Sequence, residues 1–302
     1  MKKDLLNFHD LTADDFAQIW EKTAKLKKDL KEGRPHPSLK GKTLGMIFDK
    51  SSTRTRISFE VGMYQLGGIA LFLSSRDTQI GRGEIIADTA RMASVYLNGI
   101  MIRTFAQEAV EEFARHASIP VINGLTDLLH PCQILSDLFT IKEKKGSYEG
   151  IKVAYIGDGN NVANSWIEAA AKLPFELAIA CPDGYDPDKD VLAKAMPVAK
   201  KGIKIYRAPA AAAKDADILY TDVWASMGQE AENEQRKKVF KNFQINAQVL
   251  KEAKKDAMVM HCLPAHRGEE ITADVLEGPQ SIVIDQAENR LHVQKAILEI
   301  LL

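Results

Sequence analysis

Short apolar runs alternate with longer helix-forming stretches along this chain, and no other feature narrows its possible folds as much. Runs of strand length lie at Thr43–Phe48, Ile69–Leu73, Gly99–Ile102 and Pro120–Ile122, with helical stretches near Ile57–Leu66, Asp88–Tyr96, Ala106–His116 and Pro131–Lys145. A second series follows at Lys152–Ile156, Phe175–Ala180, Lys204–Tyr206, Ala216–Leu219, Ala257–Met260 and Ser281–Ile284. Its helices span Val162–Leu173, Val191–Lys200 and Ala247–Lys254. Strands that alternate with helices imply parallel sheets covered on both faces. The polar, glycine-flanked segment from Lys144 to Gly150 separates the two series. The expected fold is therefore α/β, in two similar domains, 1–148 and 149–286, each a parallel sheet flanked by helices. Ahead of the first strand, Thr12 is expected to cap a helix with acids in its first turn. The closing helix, about 287–302, shows Leu291, Ala296, Ile297 and Ile300 on one face. It is expected to return to the first domain.

The bulk properties exclude several classes of partner. Lys+Arg is 40 and Asp+Glu is 41, so no overall field attracts nucleic acid or an anionic membrane. An anionic substrate must be met by a local basic cluster. No apolar run reaches the length of a membrane span, and none long enough for a signal peptide follows Met1-Lys2-Lys3. Three cysteines, Cys132, Cys181 and Cys262, are too few and too unevenly spaced for a disulfide framework. A reducing cytoplasm is the expected location.

Such a basic cluster occurs at Ser51-Ser52-Thr53-Arg54-Thr55-Arg56, between the strand Leu44–Phe48 and the helix expected near Ile57. In an open α/β sheet, ligands bind at the carboxyl ends of strands. A helix N-terminus there offers free N–H groups, to which this hexapeptide adds hydroxyls and forked guanidinium donors suited to phosphate. The residue types also fit a capped helix with surface arginines, but their combination in this place favours an anion site. A Walker-type glycine loop is absent, which argues against a nucleoside triphosphate. Arg103 ends a strand at the same sheet edge. His130 precedes Pro131, a favourable first helical residue, and so stands beside the free N–H groups of another helix.

In the second half, Gly157 and Gly159 match the first two positions of a dinucleotide fingerprint, but Val162 stands where the third glycine belongs. A tight strand-to-helix turn explains both glycines. Asp222-Val223-Trp224-Ala225-Ser226-Met227-Gly228 follows another strand, where an acid could bind an ammonium and a serine a carboxylate. His261-Cys262-Leu263-Pro264 follows the strand Ala257–Met260. Cys262 there reads as a polarised thiol or as a buried filler. His261 and His266 have no third ligand at a metal-binding spacing, so no metal is expected.

The hexapeptide, together with Asp77-Thr78-Gln79-Ile80-Gly81-Arg82-Gly83-Glu84, Met101-Ile102-Arg103-Thr104 and His130-Pro131-Cys132-Gln133, resembles the aspartate/ornithine carbamoyltransferase family. The resemblance runs from the first helix to the last. It implies an active site in the cleft between two domains, where carbamoyl phosphate is bound by Ser52, Thr53, Arg54, Thr55, Arg103, His130, Pro131, Cys132 and Gln133. It also implies that Gln79 reaches the site of a neighbouring subunit in a homotrimer or an assembly of trimers. Asp-x-x-x-Ser-Met-Gly resembles the family's ornithine-specific loop, so Asn161, Asp222, Ser226 and Met227 would hold ornithine. His-Cys-Leu-Pro would bring Cys262 to the side-chain amine and the Leu263 carbonyl to the carbamoyl NH₂, while Arg290 would meet the carbamoyl oxygen. The implied catalytic residues are Arg54, Arg103, His130, Cys262 and Arg290. The implied reaction carries the carbamoyl group from carbamoyl phosphate to L-ornithine, giving L-citrulline and phosphate, as in arginine biosynthesis. It needs no metal or organic cofactor.

Three rivals make different demands on the residues. A carbamoyltransferase acting on putrescine would have no use for the Asp222–Gly228 loop. A nicotinamide-dependent dehydrogenase would have none for the Ser52–Arg56 cluster. A non-catalytic binding protein for phosphorylated metabolites would need the anion loop but not the Cys262 region.

Overall fold

The computed structural model describes residues 3–74, 83–226, 228 and 230–302, with the main chain alone at 230. By packing, the chain divides into two units, Met1–Phe139 with Glu288–Leu302, and Thr140–Ala287.

In the first unit, helix α1 (Ala13–Lys31) starts at Thr12, whose hydroxyl accepts from the Asp15 N–H at 3.2 Å while Asp15 Oδ2 accepts from the Thr12 N–H at 2.8 Å. This reciprocal cap satisfies two helix-end donors. The sheet is wholly parallel, in the order β2 (Ile69–Ser74), β1 (Thr43–Phe48), β3 (Gly99–Arg103), β4 (Val121–Leu125). Helices α2 (Thr53–Gln65), α3 (Ile86–Tyr96) and α4 (Gln107–His116) connect these strands, and α5 (Pro131–Lys145) leads on from β4. The chain leaves β1 toward β2 on one side and later builds β3 and β4 on the other. The strand order therefore reverses between β1 and β3, where an open α/β sheet leaves a crevice.

The second unit repeats this plan. Its parallel sheet runs β7 (Ile203–Tyr206), β6 (Glu176–Ala180), β5 (Lys152–Ile156), β8 (Ile218–Thr221), β9 (Met258–His261), so its order reverses between β5 and β8. Around it pack α6 (Asn161–Lys172), α7 (Lys189–Ala195), α8 (Pro209–Ala213), α9 (Asn233–Phe240), α10 (Ala247–Glu252) and α11 (Ala273–Leu276). Gly157 and Gly159 have backbone reasons. Gly157 has φ +147°, and a Cβ on Gly159 would lie 2.2 Å from the Pro187 nitrogen.

Three sequence expectations need correction. Helix α2 starts at Thr53 rather than near Ile57, because Ser52 caps it by accepting from the Thr55 N–H at 3.2 Å. The basic hexapeptide is thus largely the cap and first turn of the helix itself. Ser281–Ile284 is not a strand. Ser281 makes a single bridge to Val259, and helix α12 (Val283–Leu301) begins two residues later. Ile282 and Val283 are buried side by side while Ile284 is 74% exposed, which breaks the alternation of a strand where the chain turns into α12. Helix α7 ends before Pro197, which has no N–H to continue the ladder.

The final stretch of α12 belongs to the first unit. There Lys22 pairs with Glu299 at 3.0 Å and Lys27 bonds the Asn289 side chain at 2.8 Å. His292 is buried on this helix. Burial pushes its pKa down to about 4 from 6.5, with Lys295 adding to the shift and Glu288 opposing it. A histidine whose folded value is depressed disfavours protonation in the folded state. Its contribution to stability is complete above about pH 6.5 and declines as pH falls toward about 4. Replacing His292 with Gln should flatten the stability profile in that window. Equal acid sensitivity of both proteins in urea titrations would assign the effect elsewhere.

Candidate active site

The reversal point of the first sheet gathers one cluster. Phe48 of β1 pairs in register with Arg103 of β3, so the chain leaving β1 enters the first turn of α2 beside the end of β3. Helix α2 points its free N–H groups toward this edge. Thr55 is buried, Ser52 and Arg54 are half-buried, and Thr53 is exposed. Arg103, His130, Gln133 and Arg290 are all buried. Arg290 Nη1 donates to Gln133 Oε1 in a short hydrogen bond, and Nη2 lies 3.4 Å from Thr55 Oγ1. Burial holds the His130 pKa well below its ordinary value, and the charges of Arg290, Arg103 and Arg54 push it the same way. His130 is therefore a neutral imidazole beside three guanidinium groups. The Cys132 side chain is fully buried and donates to the Asn123 carbonyl at 3.4 Å. Burial raises that thiol to about 12.

Several supports of this cluster escaped the sequence reading. Asp49 accepts a short hydrogen bond from Thr104, which ties the end of β1 to that of β3. Lys50 pairs closely with Asp127 and lies 4.4 Å from the centre of the Phe105 ring. It thereby links the end of β1 to the turn before His130. Gln133 Nε2 donates to buried Asp137 at 2.8 Å, which fixes the direction of the amide.

The second sheet gathers another cluster at its own reversal point. Asn160 follows β5, Asp222 follows β8, and Cys262 follows β9. Asn160 caps α6 through its Oδ1, while its Nδ2 donates to Asp222 Oδ2 at 2.8 Å. The Cys262 thiol donates to the other oxygen, Asp222 Oδ1, also at 2.8 Å. Sequence reading singled out Asn161. It opens α6 half-buried, and the contact to Asp222 comes from its neighbour. Ser226 is half-buried on the loop after Asp222. Gln79 and Met227 lie outside the described residues.

Buried Arg236, on α9, anchors this loop. Its Nη1 donates to Asp158 Oδ2 and to the Trp224 carbonyl, each at 2.9 Å, and its guanidinium lies 5.1 Å from the Tyr185 ring centre. Helix α9 is strongly charged and buries only Arg236 and Phe240. That left little apolar periodicity to read.

Folding also supplies histidine neighbours that linear spacing does not show. Asp222, His261 and Cys262 form one cluster, and His266, Glu269 and Glu270 another. Both ring nitrogens of His261 are engaged. Nδ1 accepts from the Leu263 N–H at 2.9 Å, which leaves Nε2 to donate to buried Glu270 at 3.1 Å. The first of these bonds also holds Leu263 at φ +59°, an uncommon conformation for a branched residue.

The chain matches two family models: the carbamoyl-phosphate-binding domain of aspartate/ornithine carbamoyltransferase over residues 3–143, and the Asp/Orn-binding domain over 149–301. It is 70% identical, over all of both chains, to the ornithine carbamoyltransferase of Syntrophus aciditrophicus. Among solved structures it is similar to ornithine carbamoyltransferase from Pyrococcus furiosus. That match has a TM-score of 0.94 and 54% identity, covering 98% of this chain and 95% of that one. The anabolic ornithine carbamoyltransferase of Campylobacter jejuni superposes with a TM-score of 0.92 at 42% identity, covering 99% of this chain and 98% of the other.

The acceptor-side anchor is open to test. Burial raises the Asp158 pKa to about 6 and the Arg236 charge lowers it. Arg236→Met should move the Asp158 titration further upward in carboxyl carbon NMR. An unchanged titration would show that Arg236 does not govern that carboxylate.

Proposed function

The chain belongs to the aspartate/ornithine carbamoyltransferase family and is an enzyme of it, and from that premise we propose that it transfers the carbamoyl group of carbamoyl phosphate to the side-chain amine of L-ornithine. One observation carries the donor half of this reading: Arg54, Arg103 and Arg290 surround a buried, neutral His130 beside the first turn of α2. A dianionic phosphate neutralises the guanidinium groups, and the helix N-terminus adds oriented N–H donors. In this reading Ser52, Thr53, Arg54 and Arg103 hold the phosphate. Thr55, His130 and Arg290 face the carbonyl oxygen.

The acceptor half rests on Asp222. Its carboxylate is held by Asn160 and Cys262 at the end of β8. We assign it to the substrate α-ammonium, with Cys262 toward the side-chain amine and Ser226 toward the carboxylate. The neutral amine attacks the carbonyl carbon, a new C–N bond forms, and the C–O bond to phosphate breaks as phosphate departs with the electron pair. The amine nitrogen gives up one proton, which the departing phosphate takes, and becomes the ureido nitrogen. Charge develops first on the carbonyl oxygen and then on phosphate, so both donor sets act where the transition state is most negative. A neutral His130 suits this role, since it donates one N–H without delivering a proton.

We extend the proposal to a homo-oligomer, a trimer by family resemblance. Strand β2 is an outer strand of its sheet, with Ile69 62% and Leu71 44% exposed, and Val95 and Tyr96 are exposed on α3. A free apolar edge of this kind favours burial against another copy. Among the described residues no helix is long and apolar enough to cross a membrane. Among the described residues none of the three cysteines is in a disulfide, which accords with a reducing compartment such as the cytoplasm.

Purified protein supplied with carbamoyl phosphate should form citrulline with ornithine and no product with putrescine, N-acetylornithine or aspartate, releasing one phosphate per product. Product from another amine would overturn the acceptor assignment. Arg54→Ala should abolish carbamoyl-phosphate binding in a folded protein, measured by calorimetry. Cys262→Ser should lower turnover more than donor affinity, and unchanged turnover would leave Cys262 a packing role. Leu71→Lys should shift the mass from light scattering toward the monomer.

A further inference from the structure

Arg290 is gripped from a direction that the reaction chemistry does not require. Gln294 lies one helical turn further along α12, on the same face, and is fully buried. With its amide oriented to satisfy both ends, its carbonyl accepts from Arg290 Nη2 at 3.0 Å and from Nε at 3.2 Å. The same amide donates to Ser58 Oγ in a short hydrogen bond. Ser58 Oγ in turn donates to the Arg54 carbonyl at 2.7 Å, within the first turns of α2. A continuous chain of hydrogen bonds therefore runs from the Arg290 guanidinium to the main chain of the phosphate-binding turn.

We propose that Gln294 is a positioning residue for carbamoyl transfer: it aims the Arg290 guanidinium at the carbamoyl oxygen and sets its distance from the phosphate-binding turn. This inference rests on the role assigned to Arg290 above. Two carbonyl contacts on one edge of a planar guanidinium fix its rotation as well as its position. Gln133 holds the remaining nitrogen, Nη1, and Thr55 Oγ1 lies 3.4 Å from Nη2, which Gln294 also contacts. Between these acceptors the guanidinium plane has little freedom left. An amide suits position 294 because it orients the guanidinium without offsetting its charge, whereas a carboxylate there would spend part of that charge before substrate arrives. The amide N–H also anchors the arrangement to Ser58 while the Ser58 hydroxyl donates to the Arg54 carbonyl, whereas an ionised carboxylate has no N–H to donate. The donor and acceptor ends of the amide are thus both in use.

The test separates the carbonyl end of the donor substrate from its phosphate end. Two probes suffice: inorganic phosphate, and phosphonoacetamide, which carries a phosphonate and a carbonyl. Gln294→Met keeps length and helix propensity and removes both hydrogen-bonding ends. It should weaken phosphonoacetamide about tenfold and lower kcat by a similar factor, while inorganic phosphate affinity and the KM for ornithine stay within about twofold. Ser58→Ala, a small truncation that removes only the anchor, should shift phosphonoacetamide about threefold in the same direction. Equal weakening of both probes, or of neither, by Gln294→Met would overturn the proposal. If that variant does not fold, unchanged phosphonoacetamide binding by Ser58→Ala would overturn it. Arg290→Met serves as the control. If it binds phosphonoacetamide normally, the assignment of Arg290 itself is wrong. If it weakens that probe while Gln294→Met does not, only the positioning role fails.

Discussion

Three guanidinium groups face one buried imidazole in the first unit, and the need to hold like charges together organises everything around them. Arg54, Arg103 and Arg290 come from a helix start, a strand end and the last helix. Their mutual repulsion and their cost of burial both oppose the arrangement. Neutral acceptors hold Arg290 in place: Gln133, Gln294 and the Thr55 hydroxyl. A bound phosphate would relieve the repulsion. The imidazole kept neutral by burial and by the same charges remains a hydrogen-bond donor.

The parallel sheet makes that concentration possible. In both units the strand order reverses next to the first strand, between β1 and β3 and between β5 and β8. At each reversal two chain segments leave the sheet edge in opposite directions and open a crevice lined by strand ends and helix starts. The first unit fills its crevice with cations. The second places Asp222 and Cys262 there, a carboxylate hydrogen-bonded to a thiol. The same architecture thus presents complementary charges in its two copies, and the difference lies in a few residues after each strand.

Much of this was legible in linear order. The runs Thr43–Phe48 and Lys152–Ile156 are strands with those bounds, and Pro131–Lys145 is the helix that its proline and periodicity announce. Legibility failed where local signals conflict. Three branched residues at 282–284 resemble a strand, yet Ile282 and Val283 are buried side by side, Ile284 is exposed, and α12 begins at Val283. Helix α9 buries an arginine where a periodic pattern would place a leucine, because Arg236 serves Asp158 and the Trp224 carbonyl. The start of α2 was read four residues late because hydroxyl residues favour caps and loops as readily as first turns.

The sequence by itself determined the fold class, the basic hexapeptide at the start of α2 and the residue types at each strand end, because hydrophobic period and local cap chemistry act over a few neighbouring positions. Tertiary structure alone decided which distant groups support them. Gln294 with Ser58, Lys50 with Asp127, Arg236 with Asp158 and Glu270 with His261 are single polar residues whose partners are set by three-dimensional packing. A hydrogen bond needs its two atoms within about 3 Å, and nothing in linear spacing records that approach when the partners lie on different elements of the fold.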